Sequence, residues 1–285
     1  MSSRTARSIS SYSKHNDEMS STCSLHGVCD DASQTSSKAV HHHSTSPRPT
    51  SSLKTNKTSP VPPSLLSQHL NNKGVKALNY GNYRKATHLF VQAIKTYKED
   101  EEEVECTCRH CSVSASVRYS LEHDAQHSHV DTSESDDYVH RRGISIHPKA
   151  MGHSMGPGLL QIATLNLAIA KHLICLECPK SDRKEQARKY QKAASLYEMA
   201  FKWHVGQSHD QSTVNITFFL IIVNNLSQIH RENQNAAKQS MCRFHLQSAL
   251  LTLMTAADES EMYQSLNLDG FFRTAFTQIS CASAA

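Results

Sequence analysis

Three cysteines and a histidine crowd one short stretch: Cys106, Cys108, His110 and Cys111, followed by His123, His127 and His129. Thiolates and imidazoles are the ligands of tetrahedral zinc, so the residue types suit such a site. The spacing does not, because Cys-x-Cys-x-x-Cys lacks the paired two-plus-two arrangement. An acidic loop that happens to hold these residues is the preferred reading. The expectation is a protein with no cofactor and no resident metal, in which Cys106, Cys108, His110 and Cys111 are the candidate ligands if one binds. Cys175 and Cys178 form a Cys-x-x-Cys, but at the end of an apolar helical stretch rather than after a strand. That placement suits a packed thiol better than a redox pair. His41 to His43 lie in a polar tail and support loose chelation at most.

Catalysis needs converging groups: a nucleophile with its base, paired carboxylates, or a glycine loop around phosphate. The chain has nine glycines and no glycine-rich loop. Its helical stretches carry few acids on their apolar faces, and most of its histidines fall in polar stretches. A non-enzyme is expected.

Composition bounds the rest. Of 285 residues, 38% are hydrophobic and 6% aromatic, low enough that part of the chain is expected not to pack. The net charge of +4 is spread over scattered lysines and arginines, with no basic stripe for nucleic acid. The longest apolar run, Phe218 to Val223, is too short to span a bilayer, so no membrane partner is expected. Met1 to Asn16 is serine-rich, with Arg4, Arg7 and Lys14 and no acid before Asp17. A transit peptide shares that composition, but a solvated tail is preferred. Nine cysteines without a signal-peptide core read as reduced thiols in the cytoplasm or nucleus.

The elements fall into four parts. Residues 1–62 form a Ser/Pro-rich tail expected to be disordered, because its isolated apolar residues cannot offset the ordering entropy. Residues 63–98 read as a helical hairpin: Ala86, Leu89, Phe90, Ala93, Ile94 and Tyr97 recur at intervals of three and four, behind a Gly81–Asn82 stop and N-cap. Residues 99–157 hold two acidic patches and a Gly/Pro-rich exit, and are expected to be a disordered insert. Residues 158–285 read as two further hairpins and a capping helix. Their periodic faces are Tyr190 to His204, Cys242 to Ala257 and Leu268 to Ile279. Ser46, Ser59, Ser133 and Ser135 stand beside prolines or acids, where kinases could reach them. The fold class is all-α.

Aligned by small and aromatic positions, the hairpins resemble the tetratricopeptide repeat. In the first, Asn72 and Gly74 precede a Gly81–Asn82–Tyr83 turn and then Ala86, Phe90 and Ala93. The second offers Asn166, Leu167 and Ala168, then Tyr190, Ala193, Tyr197 and Ala200. The third offers Asn225, Leu226 and Ser227, then Cys242, Leu246 and Ala249. Small residues let two helices approach closely, and the aromatic fills the wedge towards the next pair. Family members repeat every ~34 residues. Here the equivalent asparagines are 94 and 59 apart, so the array is irregular. The chain's ending, Leu-Asp-Gly-Phe-Phe-Arg at 268–273 and Cys-Ala-Ser-Ala-Ala at 281–285, is also similar to that of a group of repeat proteins in diatoms.

The resemblance implies an adaptor whose first helices line a concave groove for a protein or peptide partner. By position the groove would present Gln68, Asn71, Val75 and Asn79, then Ile162, Leu165, Ile169 and His172, then Ile221, Asn224, Gln228 and Arg231. The competing reading makes Ile162, Leu165 and Ile221 core, covered by the insert or the tail. A chaperone C-terminal tail is not expected as the partner. Asn166 matches the family's carboxylate clamp, but Asn71, Val75, Ile221 and Asn225 stand where its other polar and cationic groups would be. A zinc-responsive protein acting through the Cys/His insert is the alternative function.

Overall fold

Pro63 opens the first helix at a position where a missing N–H costs nothing, since the first-turn donors have no intrahelical partner. The computed structural model describes residues 62–98, 106–124, 138–177, 183–207, 216–255 and 268–276, all within the unit Thr58–Ala285. Among these residues the α-helices are α1 (Pro63–Asn79), α2 (Tyr83–Lys98), α3 (Val113–Asp124), α4 (Pro157–Glu177), α5 (Arg183–Gln207), α6 (Ile216–Glu232), α7 (Ala236–Thr255) and α8 (Leu268–Phe276). One 3-10 turn, Pro148–Ala150, joins them, and there is no strand among the described residues. The protein is all-α, as its periodicities require.

The helices pack in chain order as antiparallel pairs, α1 with α2, α4 with α5 and α6 with α7. Successive pairs join through α2 against α4 and α5 against α6, and α8 closes the end on α7 and α6. Close approach within the first pair depends on Gly74, where any Cβ would overlap the ring of Phe90. Phe90, Ala86 and Ala93 are fully buried, and Ser67 adds a hydroxyl bond to Ala93 O at 2.7 Å. Tyr197 and Leu246 take the same buried wedge position in the second and third pairs. The second pair is the long one, with helices of 21 and 25 residues against 17 and 16 in the first, so the extra length falls mostly on α5.

Two hairpin turns are built alike. Gly81 (φ 73°) and Gln234 (φ 58°) adopt the left-handed conformation after α1 and α6. In each, the following asparagine returns its N–H to the preceding helix: Asn82 to Ala77 O and Asn235 to His230 O. Each asparagine then caps the next helix, Asn82 Oδ1 accepting from Lys85 N and Asn235 Oδ1 from Lys238 N.

α4 is long and apolar enough to cross a membrane by length and composition, but 78% of that stretch is buried inside the protein. It is the core helix of the stack, packed between α2 and α5.

The insert departs from expectation in part. Within 99–157, residues 106–124 and 138–157 are ordered parts of the fold, including α3 and a segment laid across the first helices. Its polar backbone is satisfied by buried amide side chains that the periodicity of the hairpins does not advertise. Residues 1–61, both acidic patches, Cys178, His127, His129, Ser133 and Ser135 lie outside the described residues.

Candidate functional site

Three asparagines at equivalent positions of α1, α4 and α6 carry the site. Asn225 Oδ1 accepts from His140 N and Asn225 Nδ2 donates to His140 O, both at 2.9 Å. Asn166 holds Ile144 the same way, at 2.7 Å from N to Oδ1 and 2.8 Å from Nδ2 to O. Asn72 holds Ile146, at 2.7 and 3.3 Å. Each amide matches one residue's N–H and C=O, a pairing that reads backbone and not side chain. The segment thus crosses the three pairs in reverse chain order, third pair first.

α3 closes the other side. Ser145 N donates to Ser120 Oγ at 2.8 Å, and His147 N donates to Ser116 Oγ at 3.3 Å. The four consecutive N–H groups from Ile144 to His147 therefore alternate between groove asparagines and α3 serines. A period of two is that of an extended chain. Ile144 and Ile146 are buried, and a Cβ at Gly143 would sit 3.0 Å from Leu78 and 3.1 Å from Val75, so a larger residue there has to push those side chains aside. At its start, Tyr138 stacks edge-on against Phe271 of α8, at 5.1 Å, over Gly270, where any side chain would overlap the tyrosine ring.

The groove residues expected from the sequence divide accordingly. Gln68, Asn71 and Asn224 do bind backbone: Asn71 to Ile144 O, Asn224 to Tyr138 O, and Gln68 to Ala150 O, His153 O and Gly152 N. Val75, Ile162, Leu165, Ile169 and Ile221 are buried, so they present no open groove face to a partner. Cover by the chain's own insert, the competing reading, is what the structure contains. His172 is buried between Tyr190 and Tyr197, and its burial lowers its pKa to about 3. Gln228 donates to Thr274 Oγ1 of α8, Arg231 pairs with Glu232, and Asn79 is exposed at the end of α1, away from the segment's bonds. Asn72, Asn166 and Asn225 were visible as a repeated motif. Their bonding to a covering chain, which turns them into clamps, was not.

The cysteine cluster adjoins the segment's far end. The ligand atoms of Cys106, Cys108, Cys111 and His153 lie within 4.8 Å of one another. His153 Nδ1 is 3.6, 3.5 and 3.6 Å from the three sulfurs in turn, and Cys108 Sγ is 3.2 Å from Cys111 Sγ. Hydrogen bonding from Cys111 and then His153 holds the Cys108 thiol down to about 6, while burial pushes the Cys111 thiol up. Cys106 N also donates to Ser154 O at 2.8 Å. His110, a candidate ligand from the sequence, is not in the cluster, because its ring stacks on His147 at 4.8 Å. His123 packs at a tilt against Tyr119 instead. The fourth member, His153, lies 42 residues beyond Cys111, too far along the chain for local spacing to reveal it.

Comparison of the chain with protein-family models, with curated proteins and with solved structures finds no match.

Proposed function

We propose that the chain is a non-enzymatic, tetratricopeptide-like adaptor that binds an extended peptide, and that its own residues 138–153 close the groove in cis. The observation that carries this reading is the row of three amide clamps, Asn72, Asn166 and Asn225, each spent on both backbone groups of one residue. Such clamps accept any extended backbone, so the cis segment marks out what a partner must be. That partner is a protein segment with a small residue followed by aliphatics at alternate positions, as in Gly143, Ile144 and Ile146. The buried Cys242 thiol, which is in no disulfide, suits a cytoplasmic or nuclear setting.

A labelled synthetic peptide of residues 138–151 tests it. The full-length Ile144→Asp, Ile146→Asp variant cannot bury its own segment and should bind this peptide. The wild-type chain should bind about tenfold more weakly or worse, because a closed groove taxes apparent affinity by its open fraction. Adding Asn72→Ala, Asn166→Ala and Asn225→Ala to that variant should remove binding. A helical variant that ignores the peptide, or binds it equally without the asparagines, overturns the proposal.

A further inference from the structure

We infer that Cys106, Cys108, Cys111 and His153 bind one zinc ion, which locks the cis segment into the groove. The second half rests on the closed-groove reading above; the first does not. A single ring nitrogen has one proton or one lone pair to share, yet three sulfurs surround Nδ1 at 3.5 to 3.6 Å. Hydrogen bonding cannot satisfy that arrangement, and a cation at its centre does. With zinc–sulfur bonds of about 2.3 Å and zinc–nitrogen bonds of about 2.0 to 2.1 Å, tetrahedral angles put sulfur and nitrogen roughly 3.6 Å apart. All three sulfur–nitrogen distances agree, and the Cys108 and Cys111 sulfurs, 3.2 Å apart, need part only to roughly 3.8 Å to complete the tetrahedron. Soft thiolates favour zinc over magnesium or calcium, and four protein ligands make a closed, structural site rather than a catalytic one.

The placement gives the ion its role. The three cysteines lead directly into α3, whose Ser116 and Ser120 hold the outer side of the segment. His153 follows the segment's last clamp, Gln68, which binds Ala150 O, Gly152 N and His153 O. Zinc therefore ties the start of the cover to its end, closing α3 and the segment into one loop. Losing the ion frees both ends while leaving the helix pairs, which share no ligand with it, in place.

The test uses the full-length chain purified without a histidine tag. Metal analysis should find about one zinc per chain. Cobalt substituted for zinc should give thiolate-to-cobalt charge transfer and the intense visible bands of a tetrahedral site. Cys108→Ser and His153→Ala should lose the metal, whereas His110→Ala and His123→Ala should keep it. No zinc, or zinc retained by His153→Ala, overturns the site. Chelation should then raise wild-type affinity for the 138–151 peptide at least about tenfold without loss of the helical far-ultraviolet signal. An unchanged affinity, beside an Ile144→Asp, Ile146→Asp variant that does bind, overturns the lock and leaves the groove reading standing. Failure of that variant to bind sinks the groove reading and the lock together, while the zinc count still judges the site. Chelation that unfolds the helices contradicts the lock, because the ion would then be holding the core.

Discussion

Asn166 Oδ1 and Ile144 N are 2.7 Å apart, and the same amide returns Asn166 Nδ2 to Ile144 O at 2.8 Å. Both residues are buried, so neither pair of groups has water as an alternative. Asn71 completes the node, with its Oδ1 accepting from Asn166 Nδ2 at 2.9 Å and its Nδ2 donating to Ile144 O. A helix of one pair, a helix of the next and the covering segment meet at one amide.

Asn166→Ala would strand the Ile144 N–H, and each buried unsatisfied group costs about 1–3 kcal/mol. We expect a loss of about 3 kcal/mol in denaturant unfolding for this variant. Asn166→Asp should be worse, because a carboxylate has no N–H to return to Ile144 O and would bury a charge. An alanine variant within about 0.5 kcal/mol of wild type would mean the node carries little.

Much of this was legible in the residues themselves. Gly74 with Phe90, and Gly81 with Asn82, specify one hairpin through steric fit and turn chemistry, which are local. The asparagines at 72, 166 and 225 were visible as a repeat because they recur at one position of the pattern. Their use was hidden because hydrogen bonding at a distance of 22 to 85 residues leaves no local trace. The cysteine–histidine cluster was legible only in part, for the same reason. Three stand together in sequence, and the fourth arrives only when the segment folds back. Gly143 and Gly270 are further cases, since each is small to admit a neighbour from a distant part of the chain.

Gln234 is the non-glycine residue with positive φ among the described residues, and it sits where Gly81 sits in the first hairpin. An L side chain in that conformation costs about 1–2 kcal/mol. Gln234→Gly should stabilise the chain by about 1 kcal/mol, and Gly81→Ala should destabilise it by a similar amount. Thermal or denaturant midpoints decide this, and a destabilised Gln234→Gly would show that its side chain, not its backbone, matters.

Burial lowers the pKa of His140 to about 4 and that of His172 to about 3, each helped by a nearby arginine, and both rings are neutral in the folded chain at neutral pH. The unfolded chain takes up protons near the ordinary histidine value of about 6.5. Between there and the folded values the unfolded state binds more protons, so stability is full above about pH 6.5 and falls as pH drops towards 4. His140→Gln should blunt the fall, measured as the thermal midpoint from pH 7 to 4.5. A midpoint that rises on acidification would contradict the burial of these rings.

That the chain's own segment fills the groove is open to test by amide hydrogen exchange of Ile144 to His147. All four N–H groups are held by side chains of α1, α3 and α4. Exchange in this stretch should be slowed by orders of magnitude relative to a free peptide, with protection falling when Asn72 and Asn166 are replaced by alanine. Exchange at the free-peptide rate in the wild-type chain, beside well-protected α4 and α6, would show an open groove and contradict it.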